Sequence, residues 1–174
     1  MAEPRWLSAD EQKTWLAFLL ATRLLWARFE RDVQREAGIP LTYYEILSAL
    51  SETTERAMRM ADLSRILQVS PSRLSHAIAR LEESGWVRRE LCRSDRRGWI
   101  AVLTAEGVTA LEGAAPAHVE SVRRHLFDQL TDRQVAELGV ISSALLAHLA
   151  PGTDIPGVIE RRKSLDSIPP RECD

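Results

Sequence analysis

The stretch from Ser70 to Leu103 constrains this chain more than any other. Ser70-Pro71 supplies a helix N-cap followed by proline at the first helical position, where a missing N–H costs nothing. Leu74, Ala77, Ile78 and Leu81 then recur at three- and four-residue spacing, which predicts one buried helical face, and Gly85 stops the helix. Trp86 to Leu91 alternates, with Val87, Arg89 and Leu91 set against Trp86, Arg88 and Glu90, and Gly98 to Leu103 is rich in β-formers. The two segments read as a hairpin. Immediately upstream a short helix with the stripe Met60, Leu63, Ile66, Leu67 runs through a tight turn at Gln68-Val69. Helix, turn, helix and hairpin in that order predict a winged helix-turn-helix.

The outward face of the second of these helices carries Ser72, Arg73, Ser75, His76, Ala79 and Arg80, with no carboxylate before Glu82. A solvated helix face mixes both charge signs. Hydroxyls, an imidazole and arginines match the edges of bases and the phosphates of a DNA major groove, although a plain polar surface has the same composition. The hairpin tip, Cys92-Arg93-Ser94-Asp95-Arg96-Arg97-Gly98, is strongly basic. From Pro71 to Gly98 seven arginines face four carboxylates, a local balance of +3 on a chain of net charge -2, so the remainder sums to -5. An isoelectric point near 6.1 argues against a protein that coats nucleic acid with its whole surface. Arginine abundance alone proves little, because Lys13 and Lys163 are the only lysines and asparagine is absent; the position of the arginines carries the argument.

The flanking regions read as helices. Ser8 and Glu11 form a capping box ahead of the apolar series Trp15, Phe18, Leu19, Thr22, Trp26, Phe29, Val33, while Leu16, Leu20, Leu24 and Ala27 occupy a neighbouring face. So wide an apolar arc is buried from two sides, and a second subunit is the simplest second cover. Gly38 and Pro40 end this helix. Thr42 with Glu45 is expected to cap the next as a box, with Leu41 and Ile46 as its hydrophobic staple. After Thr104 a helical region extends to about Leu130, with Pro116 expected to kink or split it and Gly107 and Gly113 to weaken it. Thr131 and Gln134 cap a last helix bearing Val135, Leu138, Ile141, Leu145 and Leu149. The expected organisation is mainly α with a small β-hairpin wing: a helical dimerisation region at 8–40 and 104–150, a winged helix-turn-helix at 41–103, and an irregular tail at 151–174.

The segment Ser94-Asp95-Arg96-Arg97-Gly98-Trp99-Ile100-Ala101-Val102-Leu103-Thr104-Ala105-Glu106-Gly107 resembles the wing signature of the MarR family of bacterial transcriptional regulators. Leu41-Thr42 and Leu81-Glu82-Glu83-Ser84-Gly85-Trp86-Val87 match as well, and the resemblance spans roughly residues 10 to 150. It implies a triangular homodimer whose first and last helices interlock, with two winged domains facing one DNA duplex as a repressor. Arg97 corresponds to the family's wing arginine, which enters the minor groove. Asp95 resembles the partner that orients Arg96 or an arginine of the recognition helix, unless it is an ordinary turn residue. Family members often bind small aromatic or phenolic acids between the dimer helices and the winged domain. Here Arg23, Trp26, Tyr44, Leu47 and Ser48 are the candidates for such a crevice, with Arg23 facing a carboxylate; the alternative for Trp26 is the core. The wing departs from the family in carrying Cys92-Arg93 where an Asp-Pro is common.

Other classes find less support. The longest apolar run, Trp15 to Ala21, is far short of a membrane span, and the N-terminus lacks the apolar core of a secretory signal. Two cysteines, Cys92 and Cys173, fit a reduced cytoplasmic setting. Cys92 beside arginines is a candidate for oxidant sensing, or simply a small residue at a strand end; the first helix lacks the cysteine used by the family's peroxide sensors. His118, His125 and His148 lack a convincing metal-ligand set, so neither metal nor cofactor is expected. There is no nucleophile–base pair, no paired carboxylates in an apolar context and no phosphate loop, so an enzyme is not expected. A winged protein-interaction module remains as the alternative to DNA binding, favoured by the acidic total charge.

Overall fold

A computed structural model describes residues 4–53, 55–92 and 98–150. Its elements run α1 (Ala9–Ala37), α2 (Leu41–Ser51), β1 (Ala57–Arg59), α3 (Met60–Ile66), α4 (Pro71–Glu83), β2 (Val87–Leu91), β3 (Trp99–Leu103), α5 (Ala105–His125), a 3-10 turn at Phe127–Gln129 and α6 (Asp132–Leu149). The predominance of helix with a small antiparallel wing agrees with the sequence reading. The tail 151–174 and the basic loop 93–97 lie outside the described residues.

Most helix ends are set by the local chemistry that predicts them. Ser8 Oγ accepts from the Glu11 amide at 3.2 Å while Glu11 Oε2 accepts from the Ser8 amide at 2.7 Å. Gly38 closes α1 in the left-handed region at φ 74°, where a side chain would be strained. Thr131 and Gln134 repeat the reciprocal box at α6. The start of α2 is different: Thr42 lies one residue inside a helix that begins at Leu41, and no side chain of α2 caps it. Glu30 of α1 supplies the missing acceptor, its Oε2 taking the Leu41 N–H at 3.2 Å. The expected Thr42–Glu45 box is therefore replaced by a contact between helices.

The core sits where α2, α4, α5 and the sheet meet. Ile46, Leu47 and Leu50 of α2, Leu63 of α3, and Ile78 and Leu81 of α4 are wholly buried; Leu74, Val87, Ala101, Leu103 and Leu111 are nearly so. The sheet has three strands in the order β1-β3-β2, all antiparallel, so the expected hairpin gains a partner: Ala57 pairs with Val102 and Arg59 with Ile100. The hairpin itself pairs Val87 with Leu103 and Leu91 with Trp99. Pro116 does not split α5, which runs unbroken from Ala105 to His125. Both Pro116 and Glu112, whose carbonyl is denied its helical partner by the proline, are exposed, so water can take the freed bond.

Helix α1 packs against α5 through its C-terminal half, where Phe29, Asp32 and Val33 are buried. Its N-terminal half leaves Trp15, Leu16, Phe18, Leu20, Leu24 and Trp26 about half exposed or more, and α6 buries no residue at all. No described helix is long and apolar enough to cross a membrane.

Candidate nucleic-acid interface

Helix α4 is held from behind and bare in front. Ser70 Oγ accepts from the Arg73 amide at 3.4 Å, Pro71 occupies the first turn, and Leu74, Ala77, Ile78 and Leu81 bury the inner face. Gly85 follows at φ 73° and turns the chain toward β2. The turn before α4 is fastened by a residue the sequence did not single out: buried Ser64 donates through Oγ to the Val69 carbonyl at 2.7 Å, and the Val69 amide donates to the Ser64 carbonyl at 3.2 Å. Ser72, Arg73, Ser75, His76 and Arg80 all lie exposed on the outer face, as their spacing predicts. Asp95, Arg96 and Arg97 fall outside the described residues.

Among the described residues, most of the arginines on this surface are paired. Arg80 binds Glu83 at 2.7 Å, Arg88 binds Glu90 at 2.7 Å, and Arg89 binds Glu82 at 2.6 Å. The hydrogen bond from Arg80 to Glu83, together with that carboxylate's charge, raises the arginine's pKa and keeps it cationic. Arg73 makes no ion pair among the described residues and projects from the first turn of α4. Paired arginines already have local acceptors, so Arg73 has the most donors to give to a new anionic partner.

The outer face of α4 continues into the base of the wing. Ser75 of α4, Arg59, Met60 and Ala61 at the β1–α3 junction, and Arg89, Gly98 and Trp99 of the wing together line a cavity of about 380 Å³. The Arg89 guanidinium lies 5.8 Å from the centre of the Trp99 ring, within cation–π range. Helix and hairpin thus form one continuous surface bearing hydroxyl, guanidinium and indole groups. Arg59 and Trp99 were not among the predicted site residues: Arg59 lies on β1, a strand too short to be read from pattern, and Trp99 reads from sequence only as part of the wing strand β3.

The residues expected to line an effector crevice are divided. Tyr44, Leu47 and Ser48 are buried in α2, with Leu47 wholly enclosed, whereas Arg23 and Trp26 stand exposed on α1. A chain of ring contacts nevertheless joins Trp26 to Tyr44: Trp26 meets Phe29 edge-on at 6.0 Å, Phe29 meets His118 at 6.5 Å, and His118 stacks on Tyr44 at 4.3 Å. The 380 Å³ cavity shares none of these residues. Cys92 is buried at the end of β2. Among the described residues no group of three or more His, Cys, Asp or Glu side chains is placed to hold a metal ion.

Near the junction of α1 and α5 lies a polar cluster that the sequence reading missed. Asp32 is buried, and its carboxylate receives Ser121 Oγ at 2.9 Å, His125 Nε2 at 2.7 Å and Arg35 Nη2 at 3.0 Å. Burial pushes its pKa up, but the hydrogen bonds from His125 and Ser121 and the charges of Arg35 and His125 outweigh this and hold it below the ordinary value.

Known proteins share this architecture. A sequence profile described as MarR family matches residues 37–98. The solved structure of Sco3205, a MarR family transcriptional regulator from Streptomyces coelicolor in complex with DNA, is 46% identical, covering 88% of this chain and 97% of that one with a TM-score of 0.80. AbsC, a MarR family transcriptional regulator from the same organism, is 44% identical over 84% of this chain and 98% of that one, with a TM-score of 0.76. Among curated proteins, the HTH-type transcriptional regulator PapX of Escherichia coli is 28% identical over 65% of this chain and 68% of its own length. A helix-turn-helix and wing on one core, and close to half of all aligned residues shared with regulators that it covers almost end to end, place this chain in the MarR family of transcriptional regulators.

Proposed function

We propose that the protein binds double-stranded DNA as a homodimer and represses transcription from a pseudo-palindromic operator. Each copy lays the outer face of α4 in the major groove, with Ser72, Arg73, Ser75, His76 and Arg80 as contacts. The wing loop sends Arg97 to the minor groove, beside Arg96 and Asp95. One observation carries this reading: the α4 face is fully backed by core on one side and continuous with the wing on the other. The relative Sco3205, solved in complex with DNA, supports it. A continuous surface that can reach both groove and backbone suits duplex DNA better than a protein partner, since Arg73 makes no ion pair among the described residues.

The dimer reading rests on what one copy leaves uncovered. The N-terminal half of α1 and α6 expose large apolar side chains, among them Trp15, Leu20, Leu24, Val140, Ile141 and Leu149, and exposed apolar patches mark interaction surfaces. Two copies joined there bring two α4 helices to one side of a duplex, about one helical turn apart. Arg73→Ala and Arg97→Ala, measured separately by fluorescence anisotropy on a duplex selected by the wild-type protein, test the interface. Each is expected to weaken binding at least tenfold with the sedimentation profile unchanged; undiminished binding by both refutes it.

Release by a small aromatic or phenolic acid is the proposed control. The ring chain from Trp26 through Phe29 and His118 to Tyr44 favours it, because it links the exposed face of α1 to the back of α2. Arg23, Leu47 and Ser48 complete the candidate set. An acid bound there lowers DNA affinity only by preferring one spacing of the two winged domains over another. Calorimetric titration with salicylate-like acids is expected to give heat that Arg23→Ala abolishes, and no heat from any of them removes the proposal.

A further inference from the structure

Glu82 stands near the end of α4, on the surface assigned above to a polyanion, where a carboxylate is electrostatically unwelcome. Its geometry shows what it does instead. One oxygen, Oε1, accepts the Arg89 main-chain N–H at 2.9 Å, and the other, Oε2, pairs with the Arg89 guanidinium at 2.6 Å. A single side chain of α4 therefore grips both the backbone and the side chain of β2, seven residues further on. Arg89 passes the hold across the hairpin, its guanidinium over the Trp99 ring of β3 at 5.8 Å. Arg89 pairs with Ala101 and Leu91 with Trp99 in the register, which places Arg89 and Trp99 diagonally on one face of the hairpin. The pair is partly shielded, with side-chain exposures of 27% for Glu82 and 36% for Arg89. The neighbouring pair Arg80–Glu83, at 67% and 63%, lies open to solvent and ties α4 only to itself.

We infer that Glu82 is a positioning residue for DNA recognition: through Arg89 and Trp99 it fixes the angle between α4 and the wing, so that both meet the same duplex. The inference rests on the DNA-binding reading above. It makes an unusual demand, because removing a negative charge from a DNA-facing surface ordinarily strengthens binding. Here it must weaken it. The loss must also show in the salt dependence, since a wing that no longer meets the backbone releases fewer counterions, and the slope of log affinity against log salt falls by roughly 0.9 for each phosphate that is no longer neutralised. A variant that is merely less well folded lowers the active fraction and leaves that slope unchanged.

The experiment compares wild type, Glu82→Ala, Glu82→Gln, Glu83→Gln and Arg73→Ala, all full-length. Each is titrated against a duplex selected by the wild-type protein from a random pool, over a range of salt concentrations. Glu82→Ala is expected to bind roughly tenfold more weakly, with a slope shallower by about one unit or more. Glu82→Gln keeps an acceptor for the Arg89 amide and is expected to fall between wild type and Glu82→Ala; it carries the test if the alanine variant does not fold. Glu83→Gln, which removes an equal charge one residue away, is expected to bind at least as tightly as wild type. Glu82 variants that bind as well as Glu83→Gln, or more weakly at an unchanged slope, overturn the inference while leaving DNA binding intact. A wild type that selects no duplex overturns the DNA-binding reading itself.

Discussion

At the scale of single residues, a dense polar cluster lies away from the α4 surface, at Asp32. Ser121 and His125 are separated from it by 89 and 93 positions along the chain, so no local pattern reveals the cluster, and an acidic residue mid-helix reads as surface. Replacing Asp32 by Ala leaves the Ser121 hydroxyl and the His125 ring without their acceptor in a buried place, and is expected to cost about 1–3 kcal/mol in urea denaturation. The pH dependence follows from the lowered pKa of Asp32. Its contribution is complete above the ordinary carboxylate range, about 3.9, and is lost as pH falls through the lower native value. Between neutrality and pH of about 3, wild-type stability should fall more steeply than that of Asp32→Asn; parallel curves would show that the carboxylate carries no such linkage.

At the scale of elements, the helices were legible wherever a stripe and a cap lie close together in the chain. Helix α4 is the clearest case, with Ser70, Pro71, the four buried residues and Gly85 all where the pattern puts them. The reading fails where the determinant comes from a distant segment. The N-terminus of α2 is capped by Glu30 rather than by Thr42, and β1 exists as a strand because β3 pairs with it; three residues carry no periodicity of their own. Gly107 shows the same limit. As a helical glycine it reads as a weak point, worth about 1 kcal/mol against alanine. In the fold its Cα lies against the Trp86 carbonyl, and an added Cβ would overlap that oxygen and come within 2.7 Å of Leu103 Cδ1. Because the obstruction is backbone, it cannot swing aside. Gly107→Ala is therefore expected to destabilise by about 1–3 kcal/mol, read as a lower melting temperature, and a stabilised variant would contradict this packing.

At the scale of the whole molecule, one chain leaves much apolar surface uncovered. Its winged half has a dense core, whereas α6 buries nothing and the first half of α1 shows tryptophans and leucines to water. The two-sided apolar arc of α1 was legible from sequence, but which side the chain covers for itself was not, because α5 reaches it from far along the chain. Leu24, 66% exposed, is expected to become buried between copies. Leu24→Asp should shift sedimentation from dimer to monomer and weaken DNA binding, with far-ultraviolet circular dichroism unchanged. An unaltered dimer would move the interface elsewhere.

The proposed DNA binding requires two copies that present α4 and the wing to one duplex. Hydroxyl-radical footprinting on a duplex selected from a random pool tests this most directly. The expected result is two related half-sites, protected on one side of the helix with centres about 10 bp apart or a multiple of that, and loss of both protections together in Arg73→Ala. A single unpaired footprint, or protection unaffected by Arg73→Ala, would contradict it.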